Sequence, residues 1–455
     1  MFFALGAPDP LVGSMNIHLI SLGCPKNLVD SEIMLGRLLE AGHTITSDAS
    51  EADCVVVNTC SFIQPAVDES IDTILEMGRW RQQAPERRLI VVGCLPQRFG
   101  NELANELPEV DCFLGTGAFD SIIEAAQGPP RGRRVLLPPP EKAPVSNKSV
   151  PRLRTTPPHT AYLKIAEGCS DKCTYCIIPR LRGPHRSRPM EEVLSEARGL
   201  AESGVKELIL VAQNTTAYGK DLGRGYDLEH LLAELAAISQ LKWIRTLYGH
   251  PDYVTDGLME TIAAHHRLCS YFDIPTQHIS ESILKKMGRT NKAEHILRLF
   301  GRIREQAPDA VLRTTLMVGF PGETEDDFQS LLDFIEEVRF DHLGAFIYSG
   351  AKDLPSNALQ GHVAEEVKRE RFHRLMTRQA ELSAANTQKY VGHILQALVE
   401  SPAEETHGGW MGRTCFQAPD IDGVVHIHEG EAKEGMFVKV RITAAQEYDL
   451  IGVRV

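Results

Sequence analysis

Three cysteines, Cys169, Cys173 and Cys176, stand at the spacing C-x-x-x-C-x-x-C in the short stretch Glu167–Cys176. Three thiolates in one loop can bind three irons of a 4Fe–4S cube. No fourth cysteine follows nearby, so one iron would keep an open coordination position. An open iron that chelates S-adenosylmethionine (SAM) is the working part of a radical enzyme. The spacing therefore predicts a radical-generating cluster in this loop.

A zinc loop or a redox switch is the alternative interpretation of the same cysteines. Structural zinc is usually held by two C-x-x-C halves, and the second half is missing here. The 455-residue chain has 10 cysteines. In a reducing compartment these are expected to be metal ligands or core residues rather than disulfides. The sequence favours the iron–sulfur cluster over zinc.

A second set of three cysteines is spread over the first hundred residues. Each follows a short apolar stretch that is typical of a strand: Cys24 follows Ile17–Gly23, Cys60 follows Cys54–Thr59, and Cys94 follows Leu89–Gly93. Ligands bind beyond the carboxyl ends of the strands in an open parallel sheet, so three such cysteines can converge. They could hold a second cluster with three protein ligands, or they could be three buried loop thiols. The residues alone leave both interpretations open.

The elements that must position these cysteines form an α/β multidomain chain. Residues 16–126 alternate strand and helix patterns, which predicts an open parallel α/β sheet. Residues 127–159 are rich in proline, glycine and arginine, which predicts a linker with little structure of its own. Residues 160–387 repeat a strand and a helix six times, which predicts a partial (β/α)6 barrel. Its functional face is expected at the carboxyl ends of the strands.

The last segment, residues 388–455, alternates in the manner of strands and predicts a small antiparallel β-barrel of the oligonucleotide-binding kind. Residues 391–455 contain ten Asp or Glu and five Lys or Arg, a net charge of −5. Because phosphate contacts dominate nucleic-acid binding, an acidic barrel is unfavourable for RNA, although it can bind a protein. The whole chain carries −13, which favours a basic partner or simply aids solubility.

Three loops on the expected functional face of the partial barrel are polar or rich in glycine: Ala212–Thr215, Ile274–His278 and Gly319–Thr324. Glycines let the backbone approach a ligand closely. Thr324 and Asp327 have the spacing of a capping box that opens a helix. Each loop alone is a weak signal, and His278 is as consistent with a satisfied polar residue as with a catalyst.

The chain has no apolar run near the roughly 20 residues that span a bilayer. Residues 1–16 lack Lys and Arg and carry Asp9, which is a poor signal peptide. Met15 stands just before the first strand pattern, so residues 1–14 are interpreted as a loose extension or a misplaced start. We expect a cytoplasmic protein.

Several motifs resemble those of the radical-SAM methylthiotransferases. Those similar to the amino-terminal domain of that family are Ser-Leu-Gly-Cys-Pro-Lys-Asn at 21–27, Asn-Thr-Cys at 58–60 and Gly-Cys at 93–94. The loop Cys169–Cys176, followed by Ile178-Pro179, Arg182-Gly183 and Arg-Ser-Arg at 186–188, looks like its central domain. The final barrel resembles its TRAM domain. The resemblance covers nearly everything from Asn16 to the end.

The family has branches that modify transfer RNA and one that modifies an aspartate of the small-subunit ribosomal protein S twelve. The chain looks like the ribosomal-protein branch in three stretches: Cys24–Asn27, Ala212–Gly219 and Arg313–Thr315. Thr276 departs from the pattern, since leucine would be usual there. The nearest alternative is a transfer-RNA adenosine methylthiotransferase. A non-enzymatic iron–sulfur sensor or ribosome-binding protein is the alternative of another class.

The resemblance implies two 4Fe–4S clusters and SAM as cofactors. Cys169, Cys173 and Cys176 would hold the cluster that binds SAM, and Cys24, Cys60 and Cys94 would hold an auxiliary cluster. A 5′-deoxyadenosyl radical would remove a hydrogen from the β-carbon of the target aspartate, and a methylthio group carried by the auxiliary cluster would join that carbon.

Tyr175 and Gln213 are candidates for the SAM pocket. Tyr175 stands where the superfamily places an aromatic beside the adenine, with simple core packing as the alternative. No catalytic side chain beyond the cluster ligands is implied. The implied partners are ribosomal protein S twelve and a low-potential electron donor such as flavodoxin or ferredoxin. RNA binding is not favoured.

Overall fold

The computed structural model describes residues 14–128, 134–143, 145, 152–223, 225–403 and 409–455. The predicted extension lies outside them, apart from Ser14. The chain forms two compact units. The first contains the described residues up to 155 together with 166–171 and 176–192, and the second contains 156–165, 172–175 and 193–455. Within the described parts of the chain, no helix is long and apolar enough to cross a membrane.

The first unit is built on a six-stranded sheet in which every neighbouring pair is parallel. Its strands are β1 (Asn16–Ser21), β2 (Thr44–Ile45), β3 (Cys54–Thr59), β4 (Arg88–Gly93), β5 (Cys112–Leu114) and β6 (Arg134–Leu136), in the order β2-β1-β3-β4-β5-β6. This confirms the predicted open parallel sheet. β6 comes from inside the range that was predicted as a linker.

Helices cover both faces of this sheet: α1 (Pro25–Glu40), α2 (Gln64–Arg81), α3 (Cys94–Glu106) and α4 (Ile122–Gln127). Alternate residues of β3 enter different cores. Val55 and Val57 pack with α2 and α3, whereas Cys54 and Val56 pack with α1 and α4. Burial on both faces explains why β3 and β4 are almost continuous apolar runs instead of alternating patterns. The residue that follows each strand lies at the carboxyl edge of the sheet.

The chain continues through β7 (Thr160–Lys164), β8 (Ala166–Glu167), α5 (Ile178–Arg182) and β9 (Arg186–Ser187). β8 and β9 pair as a short antiparallel ladder in the first unit. α5 ends at Gly183, whose φ of +76° is in the left-handed region that favours glycine. The segment after Cys176 is thus a short helix of little more than one turn, and its C-terminal end is fixed at Gly183.

The second unit contains six parallel strands in two sheets of three, β11-β10-β7 and β12-β13-β14. The further elements are α6 (Met190–Glu202), β10 (Glu207–Val211), α7 (Leu228–Ala236), β11 (Trp243–Thr246), α8 (Asp256–Ala264), β12 (Tyr271–Asp273), α9 (Glu281–Lys286), α10 (Ala293–Gln306), β13 (Val311–Val318), α11 (Glu325–Val338), β14 (His342–Ile347) and α12 (Glu365–Thr387). A bridge between Ile244 and Leu268 joins the sheets. The predicted partial barrel is confirmed, and α11 opens with the predicted capping box of Thr324 and Asp327.

The last strands close into a barrel in the order β15-β16-β17-β19-β18. They are β15 (Ile394–Pro402), β16 (Trp410–Thr414), β17 (Val425–His428), β18 (Phe437–Ala445) and β19 (Leu450–Arg454). The predicted small barrel is confirmed. All pairings are antiparallel except that of β17 with β19.

This C-terminal barrel contacts residues at the amino ends of the parallel strands. Trp243, which begins β11, packs edge-on against Phe437 at 4.7 Å between ring centroids. Tyr271, which begins β12, donates its hydroxyl to Asp422 at 2.6 Å. The carboxyl ends of the same strands, where function is expected, lie at the opposite end of the sheets.

Candidate functional site

Cys24, Cys60 and Cys94 all lie at the carboxyl edge of the sheet in the first unit. Cys24 is the residue before α1, Cys60 follows β3 directly, and Cys94 is the first residue of α3. A Cβ added to Gly23 would lie 2.6 Å from Cys60 Cβ and 3.0 Å from its Sγ. The loops that carry Cys24 and Cys60 therefore touch, and only glycine fits at position 23, where φ is +87°.

Asn27 connects the three loops. Its Nδ2 donates to Leu22 O at 3.1 Å and to Thr59 O at 2.8 Å, and its Oδ1 lies 4.0 Å from Cys94 Sγ. Sequence reasoning noted Asn27 only as a member of a motif, and the structure places it in the first turn of α1. One fully buried amide thus holds the chain before Cys24, before Cys60 and beside Cys94.

Cys60 and Cys94 are buried, whereas Cys24 is only partly buried, and burial raises the pKa of Cys94 to about 12. Burial and the nearby Cys24 thiol also raise the pKa of Cys60. The Arg182 guanidinium acts in the opposite direction on both thiols, since a cation favours the thiolate. Metal ligands must be thiolates, so iron binding here would release protons, and a buried cation would assist it.

A 4Fe–4S cluster fits this donor set. Three sulfurs approach from three loops, and a cation balances part of their charge. Among the described residues, no three His, Cys, Asp or Glu side chains converge closely enough to hold a single metal ion. A cube does not require that convergence, because each thiolate binds a different iron.

The loop Cys169–Cys176 is anchored by its backbone. In the first unit, Cys169 donates its N–H to Gly183 O at 3.1 Å. A Cβ on Gly168 would lie 2.1 Å from Pro184 O, so the loop requires glycine there. Burial, followed by the Asp171 carboxylate, raises the pKa of Cys169. In the second unit, which includes Cys173, Thr174 donates its N–H to Met287 O at 2.9 Å.

Tyr175 lies in a small apolar cluster with Phe320, Met287 and Tyr348. Its ring meets Phe320 edge-on at 6.4 Å between centroids, and its hydroxyl accepts a hydrogen bond from Arg289 Nε at 3.1 Å. The second candidate, Gln213, follows β10 at the carboxyl end of that strand and is partly buried. Tyr175 therefore combines core packing with a position beside the loop Gly319–Thr324.

A buried group of charges that sequence reasoning missed holds that glycine-rich loop. Glu323 accepts from the N–H of Gly319 at 2.8 Å and from Arg371 Nη1 at 2.7 Å. Its carboxylate also lies 3.5 Å from His278 Nε2, with both side chains fully buried. His278, an ambiguous residue in the sequence, is thus part of the support of the loop.

Two non-glycine residues at the carboxyl ends of β11 and β12 have left-handed backbones. Tyr248 has φ +65° and Gln277 has φ +69°. Asp273 accepts the Tyr248 N–H at 2.9 Å, and the Gln277 N–H is donated to Thr315 O at 2.8 Å. Such conformations cost about 1–3 kcal/mol each and tend to gather at functional sites.

Thr276, which departs from the resembled pattern, has a partner. Its Oγ1 lies 3.1 Å from Thr314 Oγ1, and Thr314 donates to Ile274 O at 2.8 Å. Both side chains are fully buried. The Thr276 hydroxyl therefore joins the loop after β12 to β13 by a polar contact, where a leucine would make an apolar one.

Three family models match the chain in order. Uncharacterized protein family UPF0004 matches residues 16–115, the radical SAM superfamily matches 163–335, and the TRAM domain matches 391–455. The ribosomal protein uS12 methylthiotransferase RimO of Geobacter sulfurreducens is 51% identical over 439 residues, which cover 96% of this chain and 98% of that protein. The chain belongs to the RimO family of radical-SAM methylthiotransferases. The RimO protein of Clostridioides difficile is 46% identical over 96% of this chain and 98% of its own length.

Membership of the RimO family confirms the predicted fold class, the enzyme class, and SAM and 4Fe–4S clusters as cofactors. A solved structure supports the fold independently. The radical S-adenosylmethionine methyltransferase TsrM of Kitasatospora setae aligns with a TM-score of 0.58 at 15% identity, over 76% of this chain and 77% of that one. At such low identity this likeness concerns the fold alone.

Proposed function

We propose that this RimO-family protein methylthiolates the β-carbon of an aspartate in ribosomal protein uS12. The observation that carries the proposal is the near-full-length identity of 51% to a relative whose name states that protein substrate. When bound, SAM and two 4Fe–4S clusters would supply a 5′-deoxyadenosyl radical for hydrogen removal and a methylthio group for transfer. A β C–H bond is barely acidic, so a side-chain base could not do this work.

Cys24, Cys60 and Cys94 are the proposed ligands of the auxiliary cluster. Their common edge position, the bonds of Asn27 and the touching loops of Gly23 and Cys60 support this assignment. Burial of Cys60 and Cys94 limits the access of water to these two ligands, and the cation of Arg182 offsets part of their charge.

Cys169, Cys173 and Cys176 are the proposed ligands of the cluster that binds SAM. Gly168 and Gly183 fix the first part of this loop, and the bonds of Thr174 fix its second part. Tyr175 and Gln213 are the proposed contacts to SAM, with the loop Gly319–Thr324 held in place by Glu323. In this proposal the chain's own residues bind and orient SAM and the clusters, while these cofactors supply the reactivity.

The proposed partner is a basic protein. The −5 charge of residues 391–455 and the −13 of the chain suit a ribosomal protein better than RNA. A low-potential donor such as flavodoxin or ferredoxin is the proposed source of electrons. Because ribosomal proteins are made in the cytoplasm, the proposed site of action is cytoplasmic.

The function is tested with anaerobically reconstituted protein, a reductant and SAM, offered either uS12 or transfer RNA. We expect methylthio addition to uS12 by mass analysis, with 5′-deoxyadenosine released, and no addition when the target aspartate is replaced by alanine. Methylthio addition to transfer RNA alone would assign the protein to the adenosine branch. Absence of 5′-deoxyadenosine would favour the iron–sulfur sensor.

The fit of Gly23 against Cys60 gives a second test. Gly23→Ala should lose the auxiliary cluster, so that bound iron falls from about eight to about four per chain. Gly42→Ala is the matched control, because Gly42 has the same φ of +87° but nothing within 4 Å of an added Cβ. Both variants carry the backbone cost of about 1–2 kcal/mol. Equal iron contents in the two variants would show that the Gly23–Cys60 contact does not shape the site.

A further inference from the structure

Arg182 is a buried cation in direct contact with one of the three cysteines of the sheet edge. It is the last residue of α5 and only 3% of it is exposed. Its Nη2 lies 3.6 Å from Cys94 Sγ and also donates to Asn27 Oδ1. Its Nη1 donates to Asp30 at 2.6 Å, so the guanidinium is held in one orientation by two residues of α1.

The backbone next to Arg182 is tied to the other cysteine set. Gly183 O accepts the N–H of Cys169 at 3.1 Å, and α5 begins two residues after Cys176. A Cβ on Gly183 would lie 3.1 Å from the backbone N of Glu141. The turn that presents the guanidinium therefore has little freedom to move.

The two carboxylates that pair with Arg182 contact its Nη1, Asp30 at 2.6 Å and Glu167 at 3.5 Å. Nη2 points at the cysteine sulfur, and hydrogen bonds to sulfur together with net charge set the reduction potentials of iron–sulfur clusters. A cluster gains one negative charge when it takes up an electron, so a fixed cation beside a ligand sulfur stabilises the reduced form.

We propose that Arg182 is a positioning residue that orients Cys94 as a ligand and raises the reduction potential of the auxiliary cluster. The inference rests on the proposed function, in that Cys24, Cys60 and Cys94 hold this cluster.

The test isolates the auxiliary cluster in a chain with Cys169, Cys173 and Cys176 all replaced by alanine. In that background the cluster is titrated with a low-potential chemical reductant and followed by electron paramagnetic resonance. Arg182→Met should favour the oxidised cluster at least about tenfold, which is a potential about 59 mV more negative for one electron. Arg182→Lys keeps the charge but loses the planar fork, so a smaller shift in the same direction is expected.

Arg186→Met is the matched control. Arg186 comes from the same segment, but its guanidinium donates to the backbone carbonyls of Pro140, Glu141 and Ala143. Its loss should leave the potential unchanged. Arg182→Met removes the guanidinium that pairs with the buried Asp30 carboxylate and could prevent folding. In that case the double variant Asp30→Asn/Arg182→Met, which removes both charges, is titrated instead.

The outcomes separate this inference from the function on which it rests. If the triple-alanine background binds about four irons and Arg182→Met has the same potential as Arg186→Met, the role of Arg182 is wrong and the cluster assignment stands. If that background binds no iron, the cluster assignment itself is wrong and the role of Arg182 falls with it.

Discussion

Replacement of Cys94 by alanine is expected to abolish methylthio transfer while SAM cleavage continues. Cys94 opens α3 at the carboxyl edge of the first unit's sheet and belongs to the set gathered around Asn27. The proposed SAM-binding cluster uses other cysteines, so 5′-deoxyadenosine should still form. Bound iron should fall from about eight to about four per chain. Iron content, 5′-deoxyadenosine release and the mass of uS12 are measured on the same preparation.

Cys112→Ala is the matched control for this substitution. Cys112 is also buried in the same sheet, but it belongs to β5 and packs in the apolar core with Ile17 and Ile90. Its loss should cost about 1 kcal/mol of stability through one missing apolar contact and leave iron and both activities unchanged. If Cys94→Ala retains sulfur transfer, the auxiliary-cluster assignment is wrong. If it loses SAM cleavage as well, the two cysteine sets do not work separately.

The six candidate cysteine ligands could be predicted from the sequence because each is indicated by the residues next to it. Cys169, Cys173 and Cys176 share one short loop, and the other three each follow a strand-like run whose direction is set by the βαβ pattern.

What the sequence does not reveal depends on long-range pairing. Arg182 meets Asp30 and Cys94 across separations of 152 and 88 residues, and the motif Arg182-Gly183 indicates neither contact. β6 lies in a stretch rich in Pro and Arg, and it is a strand that pairs with β5 over three residues. Tyr248 has a left-handed backbone, although such a backbone is usually indicated in a sequence by glycine or asparagine. These features arise from tertiary contacts that override local preference.

Replacement of Glu207 should cause the largest loss of stability in the second unit. Glu207 begins β10, is fully buried, and accepts from Arg413 of the C-terminal barrel at 2.6 Å and from Arg245 of β11 at 3.2 Å. Glu207→Ala would leave two buried guanidinium groups without their shared anion. Removing one partner of a buried ion pair costs about 3–5 kcal/mol. Urea unfolding followed by tryptophan fluorescence measures it, because Trp243 packs on Phe437 at the same contact.

Glu336→Ala is the control for the loss of a glutamate ion pair. Glu336 pairs with Arg378 at 2.8 Å, but both side chains are substantially exposed, so less than about 1 kcal/mol should be lost. Equal effects of the two substitutions would mean that the buried network does not hold the C-terminal barrel to the strands.

The same network predicts an acid dependence whose sign follows from Glu207. Burial alone would raise the pKa of Glu207, but the charges of Arg413 and Arg245 outweigh it and hold the pKa below its ordinary value. The unfolded chain therefore binds the proton more readily than the folded one. The contribution of Glu207 is fully present above its unfolded pKa of about 4.3 and is lost as pH falls through the lower folded value. Glu207→Gln should thus unfold with a weaker dependence on pH below about 4.3 than the natural chain. A glutamine at this position cannot take up the proton. If Glu207→Gln unfolds with the same pH dependence as the natural chain, other carboxylates cause that dependence.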